Sequence, residues 1–401
     1  MAAQPTIDGV RLLDGSWYAD DPHAVWRWMR REHPVYWDEH DRVWGIAKYD
    51  DVLAIEKDPA TFSSSQGIRP HGYAMPMMIS MDNPEHQRRR SLVNRGFTPR
   101  RVAAMEPTIA DLCRRIVDRV CEQGSCDFVW DIAAPLPLMV IPELLGFPDD
   151  AQDDLLRWSD DMLRATTSQL TDEVATMAGR AMGGFRSLQI AVIENRRAEP
   201  KDDLISTLCG AEIDGDRLDD ESIVMETLLL LIGGDETTRH VISGGMLALM
   251  DHPDQWAALI AEPELLPNAV EELVRWVSPV KNMSRLVMRD VEVRGQQLHE
   301  GDELMLFYPS ANRDEDVFDE PDRFDIRRAH NQHLAFGFGS HFCLGASLAR
   351  LELMCMFREL GRRLPDVRVA PGAELPFRAS NFVSGLESMP VEFTPTPRAA
   401  S

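Results

Sequence analysis

One cysteine of this sequence stands where a metal ligand is favoured. Cys343 belongs to the glycine-rich run Phe-Gly-Phe-Gly-Ser-His-Phe-Cys-Leu-Gly at 336–345, and a helix-forming segment, 346–363, follows it directly. A cysteine just ahead of a helix lies near free backbone N–H groups and the positive end of the helix dipole, and both favour the thiolate. We therefore expect a lowered pKa for Cys343 and a role as the ligand of a soft metal centre.

A second run combines glycines, carboxyls and hydroxyls inside an apolar segment. The sequence Leu-Ile-Gly-Gly-Asp-Glu-Thr-Thr-Arg-His at 231–240 lies in the middle of a predicted helix, 219–250. Two glycines inside a helix cost about 1 kcal/mol each relative to alanine, and polar groups at this depth need partners or a function. One interpretation is structural, with Thr237 bonding back to the Gly233 carbonyl and bending the helix. The other is a polar groove in which chemistry takes place.

Two further pairs can share one face of a helix. His86 and Arg90 are four residues apart, and Glu272 and Arg275 are three residues apart, which brings side chains together on a helix. The intervening basic run at 88–89 is expected to face solvent. An exposed ion pair contributes little to stability by itself. The function of these pairs can therefore be inferred only from the motifs around them.

The elements that would position these residues are mostly helical. Helical patterns dominate 99–275, whereas the runs at 35–37 and 43–47 predict a β-hairpin, and further strands are expected near 286–308 and 376–394. We expect a mainly α fold with small antiparallel sheets at its periphery. The net charge of −24 disfavours nucleic-acid binding, and six irregularly spaced cysteines without a Cys-x-x-Cys pair disfavour zinc sites and structural disulfides.

The N-terminal residues predict no targeting or membrane segment. They carry neither a basic region nor an apolar stretch, and the run at 227–232, taken as the longest apolar one, is far too short to span a bilayer. We therefore expect a cytoplasmic protein without a membrane anchor, and a monomer.

Taken together, the motifs resemble one family. The spacing Phe336-x-x-Gly339-x-His341-x-Cys343-x-Gly345 is similar to the haem-binding signature of the cytochromes P450, and the resemblance covers essentially the whole chain. It implies haem b with Cys343 as the iron ligand, a known type of haem ligation. It also implies a single cytochrome P450 domain over 1–401, with a β-rich part at about 1–62 and 286–330 and a helical haem-binding part for the rest.

The resemblance assigns roles to the other motif residues. Gly233 would leave room for O₂, Thr237 would position a water, and Glu236 would relay protons from solvent. Glu272 and Arg275 would form a buried structural triad with Arg323. The remaining haem-binding residues implied are, for the propionates, His86, Arg90, Arg285 and His341, and, in the cysteine loop, Phe336 and Gly345. Asp235 receives no role.

The substrate pocket is expected to draw on three segments. The long loop at 63–80 has an apolar second half rich in methionine, which suits irregular apolar ligands, although the same residues would also serve to anchor the loop on the core. In the family this loop lies over the haem. The predicted pocket residues are Met75, Met77, Met78, Ile79, Val280, Met283 and Phe382.

The resemblance implies a monooxygenase that inserts one atom of O₂ into an unactivated C–H bond of a small apolar substrate. NAD(P)H would supply two electrons through a separate ferredoxin and ferredoxin reductase. The runs at 233–240 and 380–387 resemble members that hydroxylate the terminal methyl of the cholesterol side chain (C26/C27), so a steroid such as cholesterol or cholestenone is expected. The alternative is a polyketide, terpenoid or fatty acid; a peroxygenase or a non-catalytic haem protein is disfavoured by Glu236 and Thr237.

Overall fold

The computed structural model describes residues 10–165, 171–213 and 215–399, and it confirms a mainly α fold with small sheets. The α-helices are α1 (Ser16–Ala19), α2 (His23–Glu32), α3 (Tyr49–Lys57), α4 (Glu85–Val93), α5 (Pro99–Ala104), α6 (Glu106–Val120), α7 (Pro135–Leu145), α8 (Gln152–Arg164), α9 (Asp172–Ala198), α10 (Leu204–Gly210), α11 (Asp220–Asp251), α12 (Pro253–Ala261), α13 (Leu266–Val277), α14 (Tyr308–Ala311) and α15 (Ala346–Arg363). The strands are β1 (Val35–Asp38), β2 (Val43–Ile46), β3 (Phe62–Ser63), β4 (Ser125–Asp127), β5 (Glu212–Ile213), β6 (Asp216–Arg217), β7 (Asn282–Val287), β8 (Val291–Val293), β9 (Gln296–Leu298), β10 (Glu303–Phe307), β11 (Arg368–Val369) and β12 (Pro390–Glu392).

The largest sheet joins two distant parts of the chain. Its strand order is β1-β2-β10-β7-β3. The predicted hairpin is confirmed as β1 and β2, which pair antiparallel with Val35 opposite Ile46. The partner of β2 is β10, which runs parallel to it with Leu304 opposite Trp44, about 260 positions away in the sequence. The smaller sheets are β11-β12-β4, β5-β6 and β8-β9.

The central helix is α11, and it confirms the helix predicted at 219–250. Its N-terminus is capped by Asp219, whose carboxylate accepts a hydrogen bond of 2.8 Å from the Ser222 N–H. Along its length α11 packs against α7, α13 and α15, so most of its side chains are buried. The run at 231–240 is therefore held deep inside the helical part of the fold.

The apolar stretch Phe128–Leu145 is longer than the run at 227–232. It comprises a π-helix, Phe128–Ala133, followed by α7. Within the described residues it is the one helical stretch long and apolar enough to cross a membrane, and 78% of it is buried inside the fold. Such burial is typical of a core helix, and it corrects the choice of 227–232 as the longest apolar run.

Candidate functional site

The cysteine loop is a tight turn that its glycines make possible. The Cys343 N–H donates to the Phe336 carbonyl at 2.8 Å and so closes the turn. Gly337 and Gly339 have φ angles of +66° and +68°, a region that side chains disfavour. A Cβ at Gly339 would also lie 2.5 Å from the Glu56 carbonyl oxygen. The loop therefore packs against the end of α3 at a distance that only glycine allows.

The Cys343 thiol corrects one expectation from the sequence. Burial raises its pKa, because a low-dielectric environment disfavours the thiolate. Other groups act to lower the pKa of Cys343, as the sequence predicts. The thiolate is favoured by the backbone N–H groups of Gly345 and Ala346 and by the charges of Arg90 and Arg350. They are outweighed by burial. A bound metal cation would favour the thiolate, because it competes with the proton for the sulfur.

Four residues predicted to bind haem propionates lie together. The imidazole rings of His86, on α4, and His341, in the cysteine loop, stack with centroids 4.0 Å apart. Arg90 donates from Nη2 to the Phe342 carbonyl. Burial, followed by the charges of His86, Arg285 and Arg90, lowers the pKa of His341 to about 3. The two imidazoles are therefore uncharged at neutral pH and can act as neutral hydrogen-bond donors, and Arg90 and Arg285 supply the positive charge that would attract carboxylates.

A buried carboxyl beside this region was missed by the sequence analysis. Glu56, on α3, accepts hydrogen bonds at Oε1 from Tyr308 Oη at 2.6 Å and Arg285 Nη2 at 3.3 Å. Its Oε2 is buried and finds no hydrogen-bond partner, and burial raises the pKa of Glu56. Since Glu56 and Arg285 are 229 positions apart, no spacing rule could have linked them.

The adjacent glycines Gly233 and Gly234 of α11 serve different purposes. Gly233 is exposed although it lies in a buried stretch of helix, and a Cβ built on it would meet nothing within 4 Å. A Cβ on Gly234 would lie 2.8 Å from Ile141 Cδ1 on α7. The Thr237 hydroxyl donates to the Gly233 carbonyl at 2.8 Å, as the structural interpretation predicts. One glycine thus opens the helix surface, and the other allows close helix packing.

Glu236 lies in a charged network that reaches the surface. Its Oε1 accepts hydrogen bonds from Arg239 Nη2 at 2.6 Å and from Arg378 Nη1, while its buried Oε2 has no partner. Arg378 also contacts Asp160 Oδ1 at 3.4 Å and Glu387 Oε1 at 3.3 Å. The Glu387 side chain is 47% exposed. The sequence offered no signal for Arg378, which is 142 positions from Glu236.

Asp235, left without a role by the sequence, points to a different helix. Its Oδ2 accepts a hydrogen bond of 2.5 Å from the hydroxyl of Ser159 on α8. Burial raises its pKa to about 6. Burial likewise raises the pKa of the nearby Glu352, on α15, to about 8. Asp235 therefore joins α11 to α8 and is not directed at the same groups as Glu236.

The predicted structural triad exists with a different third member. Glu272 and Arg275 are fully buried and joined by hydrogen bonds of 2.7 and 2.8 Å. The third cation is Arg328, whose Nε lies 3.2 Å from Glu272 Oε2. The Arg323 side chain is 60% exposed and pairs with Glu320. The assignment of Arg323 was therefore wrong, because the chain turns its backbone carbonyl and not its side chain towards Arg275.

The loop at 63–80 is anchored by its second half. Met77 and Met78 are buried at 5% exposure and pack in the main core, and Ile79 packs against it. Met75 is 39% exposed, so its side chain does not share the burial of Met77 and Met78 in the core.

A buried carboxyl on α11 holds this loop. Glu226 accepts hydrogen bonds from the Met78 N–H at 2.9 Å and from Arg89 Nη1 at 3.3 Å. Burial raises the pKa of Glu226 to about 7. The expectation that Arg89 faces solvent was wrong, since only 16% of its side chain is exposed. The loop, α4 and α11 are thus joined at one polar contact.

The other predicted pocket residues come from two adjoining segments. Val280 forms an antiparallel bridge with Val383, and the Lys281 N–H donates to the Phe382 carbonyl at 2.6 Å. Phe382 is buried, whereas Val280 and Met283 are half-buried and pack against the cluster around the large sheet. The structure therefore brings Val280 and Phe382 together from segments about 100 positions apart.

The residues present fit a haem group. The thiol of Cys343 offers one soft ligand. The donors of His86, Arg90 and Arg285 suit two carboxylates. The open face of Gly233 leaves space beside α11.

Comparison with known proteins agrees with this geometry. The family model described as Cytochrome P450 matches residues 172–364. The chain is 50% identical to the steroid C26-monooxygenase of Mycobacterium tuberculosis, over 99% of both chains, and 49% identical to that of Mycolicibacterium smegmatis, over 99% of this chain and 98% of the relative. The crystal structure of CYP109E1 from Bacillus megaterium in complex with testosterone is 36% identical and superposes with a TM-score of 0.86, covering 93% of this chain and 99% of that one. The chain therefore belongs to the cytochrome P450 family of haem monooxygenases.

Proposed function

We propose that this cytochrome P450 hydroxylates the terminal methyl group, C26, of a steroid side chain. The observation that carries the proposal is the identity of one half, over essentially the full length, to relatives named steroid C26-monooxygenase. The pocket residues are consistent with it, because Met77, Met78, Val280 and Phe382 are apolar and come from separate elements around α11 and the large sheet. A rigid apolar skeleton needs such walls on several sides.

The chain's own residues would hold the cofactor and supply protons. Haem bound through Cys343 supplies the chemistry that activates O₂. His86, Arg90, Arg285 and His341 would bind its propionates through charge-assisted hydrogen bonds. The open side of Gly233 would leave room for the reacting groups beside α11.

Glu236 would move protons between solvent and the groove. A guanidinium does not give up its proton, so Arg239 and Arg378 orient Glu236 and are not proton carriers. In this proposal the buried Oε2 of Glu236, which has no hydrogen-bond partner, would take up a proton delivered along the Arg378–Glu387 side of the network and pass it towards Thr237. Because Thr237 donates to the Gly233 carbonyl, its oxygen remains able to accept a hydrogen bond from a water that carries that proton.

Electrons would come from NAD(P)H through a ferredoxin and a ferredoxin reductase, and the protein would act as a cytoplasmic monomer. Bacterial members of the family generally receive their electrons from redox partners. A reconstituted assay with purified ferredoxin and reductase, compared with a flavodoxin as the donor, tests the choice of partner.

The decisive experiment is titration of the haem-loaded protein with cholest-4-en-3-one. Binding next to the haem is expected to shift the Soret band towards the high-spin form, and turnover is expected to give a product oxidised at C26. A protein that binds haem and carbon monoxide normally but shows no shift at saturating steroid would refute the steroid assignment. Fatty acids of similar length serve as the comparison ligands.

A further inference from the structure

Arg69 carries a positive charge without a counter-ion beside the proposed pocket. Its guanidinium lies 4.6 Å above the ring of Phe382. Nη1 donates to Asn282 Oδ1 at 3.1 Å, and Nη2 donates to Asn381 Oδ1 at 2.5 Å. Within the described residues no carboxylate pairs with it, and burial lowers its pKa to about 10. A cation in such a place is costly unless something compensates it.

Two buried donors of this cluster have no acceptor. They are Arg69 Nε and Asn381 Nδ2. The Arg69 side chain as a whole is half-buried, but its Nε is sealed from solvent, and Asn381 is 1% exposed. Because a guanidinium has only donors, the Asn381 oxygen must face it and the amide nitrogen must point elsewhere. Buried donors without acceptors are rare in folded proteins, so a missing acceptor is expected here.

The cluster joins the three segments from which the proposed pocket is built. Arg69 belongs to the loop at 63–80, Asn282 begins β7 just after Val280, and Asn381 precedes Phe382. The Arg69 guanidinium lies over the Phe382 ring, and this contact helps to fix the guanidinium in position. The unpaired Nε belongs to the same guanidinium whose Nη2 donates to Asn381 Oδ1, so the two residues with free donors are in direct contact.

We infer that Arg69 and Asn381 form a polar subsite that binds a carbonyl oxygen of the substrate, at a position away from the carbon that is oxidised. The inference rests on the proposed function and deepens it. The C26 end of a steroid is hydrocarbon, so an oxygen at the ring end is the group left for a cationic donor to recognise. The subsite would make the enzyme prefer a keto-steroid to the same skeleton without the oxygen.

The test compares two ligands that differ by one oxygen. The haem-loaded protein is titrated with cholest-4-en-3-one and with cholest-4-ene, and dissociation constants are read from the Soret shift. A hydrogen bond from a charged donor corresponds to a preference of about tenfold or more. Arg69→Met should reduce this preference to less than about twofold by weakening ketone binding alone, and Arg69→Lys should retain part of it.

Arg289→Met is the matched control. Arg289 Nε and Nη2 donate to Thr61 Oγ1 at 3.1 and 2.7 Å. Because these contacts do not involve Arg69 or Asn381, the Arg289→Met substitution should leave the preference for the ketone unchanged. If Arg69→Met fails to fold with haem, Asn381→Ala provides the same comparison.

Three outcomes would overturn the inference. Equal affinity of the wild-type protein for the two ligands would overturn it and leave the steroid proposal standing. An equal loss of affinity for both ligands in Arg69→Met would show that Arg69 only holds the loop. Binding of neither ligand to the wild-type protein would refute the proposed function and this subsite with it.

Discussion

Replacing Arg328 with alanine should destabilise the protein, whereas the same change at Arg323 should not. Arg328 Nε lies 3.2 Å from Glu272 Oε2, and its Nη atoms donate to the carbonyls of Asp319 at 2.7 Å and Glu320 at 3.3 Å. Only 8% of the side chain is exposed. Nη2 also donates to the Arg323 carbonyl at 2.7 Å. Removing the side chain takes one charge-assisted bond from a buried carboxylate and takes these donors from three carbonyls.

The size of the effect follows from these contacts. A hydrogen bond to a charged group contributes about 1.5–3 kcal/mol, and loss of the donors to the partly buried carbonyls adds about 1 kcal/mol or more in total. Arg275 remains on Glu272 in the variant, so the carboxylate is not left without any cation. We therefore expect a loss of about 3–5 kcal/mol for Arg328→Ala, in line with other broken buried pairs. For Arg323→Ala we expect no measurable loss of stability, because the ion pair of Arg323 with Glu320 is exposed to solvent.

Urea unfolding of the two haem-loaded variants measures the difference. The unfolding midpoints are followed by far-ultraviolet circular dichroism and by Soret absorbance. The Soret signal is included because Asn331, five positions before the cysteine loop, donates from Nδ2 to Glu272 at 3.1 Å and so connects the triad to that loop. Arg328→Ala should lower both midpoints and release haem earlier, and Arg323→Ala should match the wild-type protein. An equal shift in the two variants would show that the third member of the triad has been assigned wrongly.

Four further outcomes are expected. Cys343→Ser should abolish the thiolate-type Soret maximum of the reduced carbon monoxide complex, since serine is a harder ligand than thiolate; an unchanged maximum would exclude Cys343 as the ligand. Glu236→Gln should lower product formation about 10²-fold or more with haem binding intact, as measured by turnover in a reconstituted assay. Thr237→Ala should lower the ratio of product to NAD(P)H consumed, and an unchanged ratio would contradict its role with protons. Burial raises the folded-state pKa of Glu226 from 4.5 to about 7, so its contribution to stability is present below pH 4.5 and lost as pH rises towards 7. Glu226→Gln should therefore reduce the fall in unfolding midpoint between pH 5 and pH 8, and an unaltered pH dependence would argue against the raised pKa.

The parts of the site that sequence could predict are those fixed by helix geometry. The contacts of Glu272 with Arg275 and of Thr237 with the Gly233 carbonyl follow from spacings of three and four. The long helix around 219–250 followed from its apolar pattern and its acidic start. Each of these inferences needs only the local periodicity of the chain.

The parts that could not be predicted depend on where distant segments meet. Arg378 reaches Glu236, and Glu56 reaches the arginine of β7, across more than 140 positions of sequence. The choice between Arg323 and Arg328 depends on how an irregular segment turns, which no periodicity records. The helix dipole alone predicts a lowered pKa for Cys343. Burial reverses the direction of that shift, and burial is defined only by the folded chain.

The parallel pairing of β2 with β10 has a consequence for biosynthesis. The hairpin of β1 and β2 is translated early, yet the strand that pairs with Trp44 lies about 260 positions later. At about 5–20 residues per second, one edge of the hairpin waits roughly 13–50 s for its partner. Cys343 follows β10 within about 40 positions, so the completed sheet and the proposed iron ligand leave the ribosome almost together. Until then the nascent chain carries an unpaired strand edge, the kind of surface that chaperones bind and that promotes aggregation. A shortage of haem would therefore affect folding only near the end of synthesis, when the large sheet has just become complete.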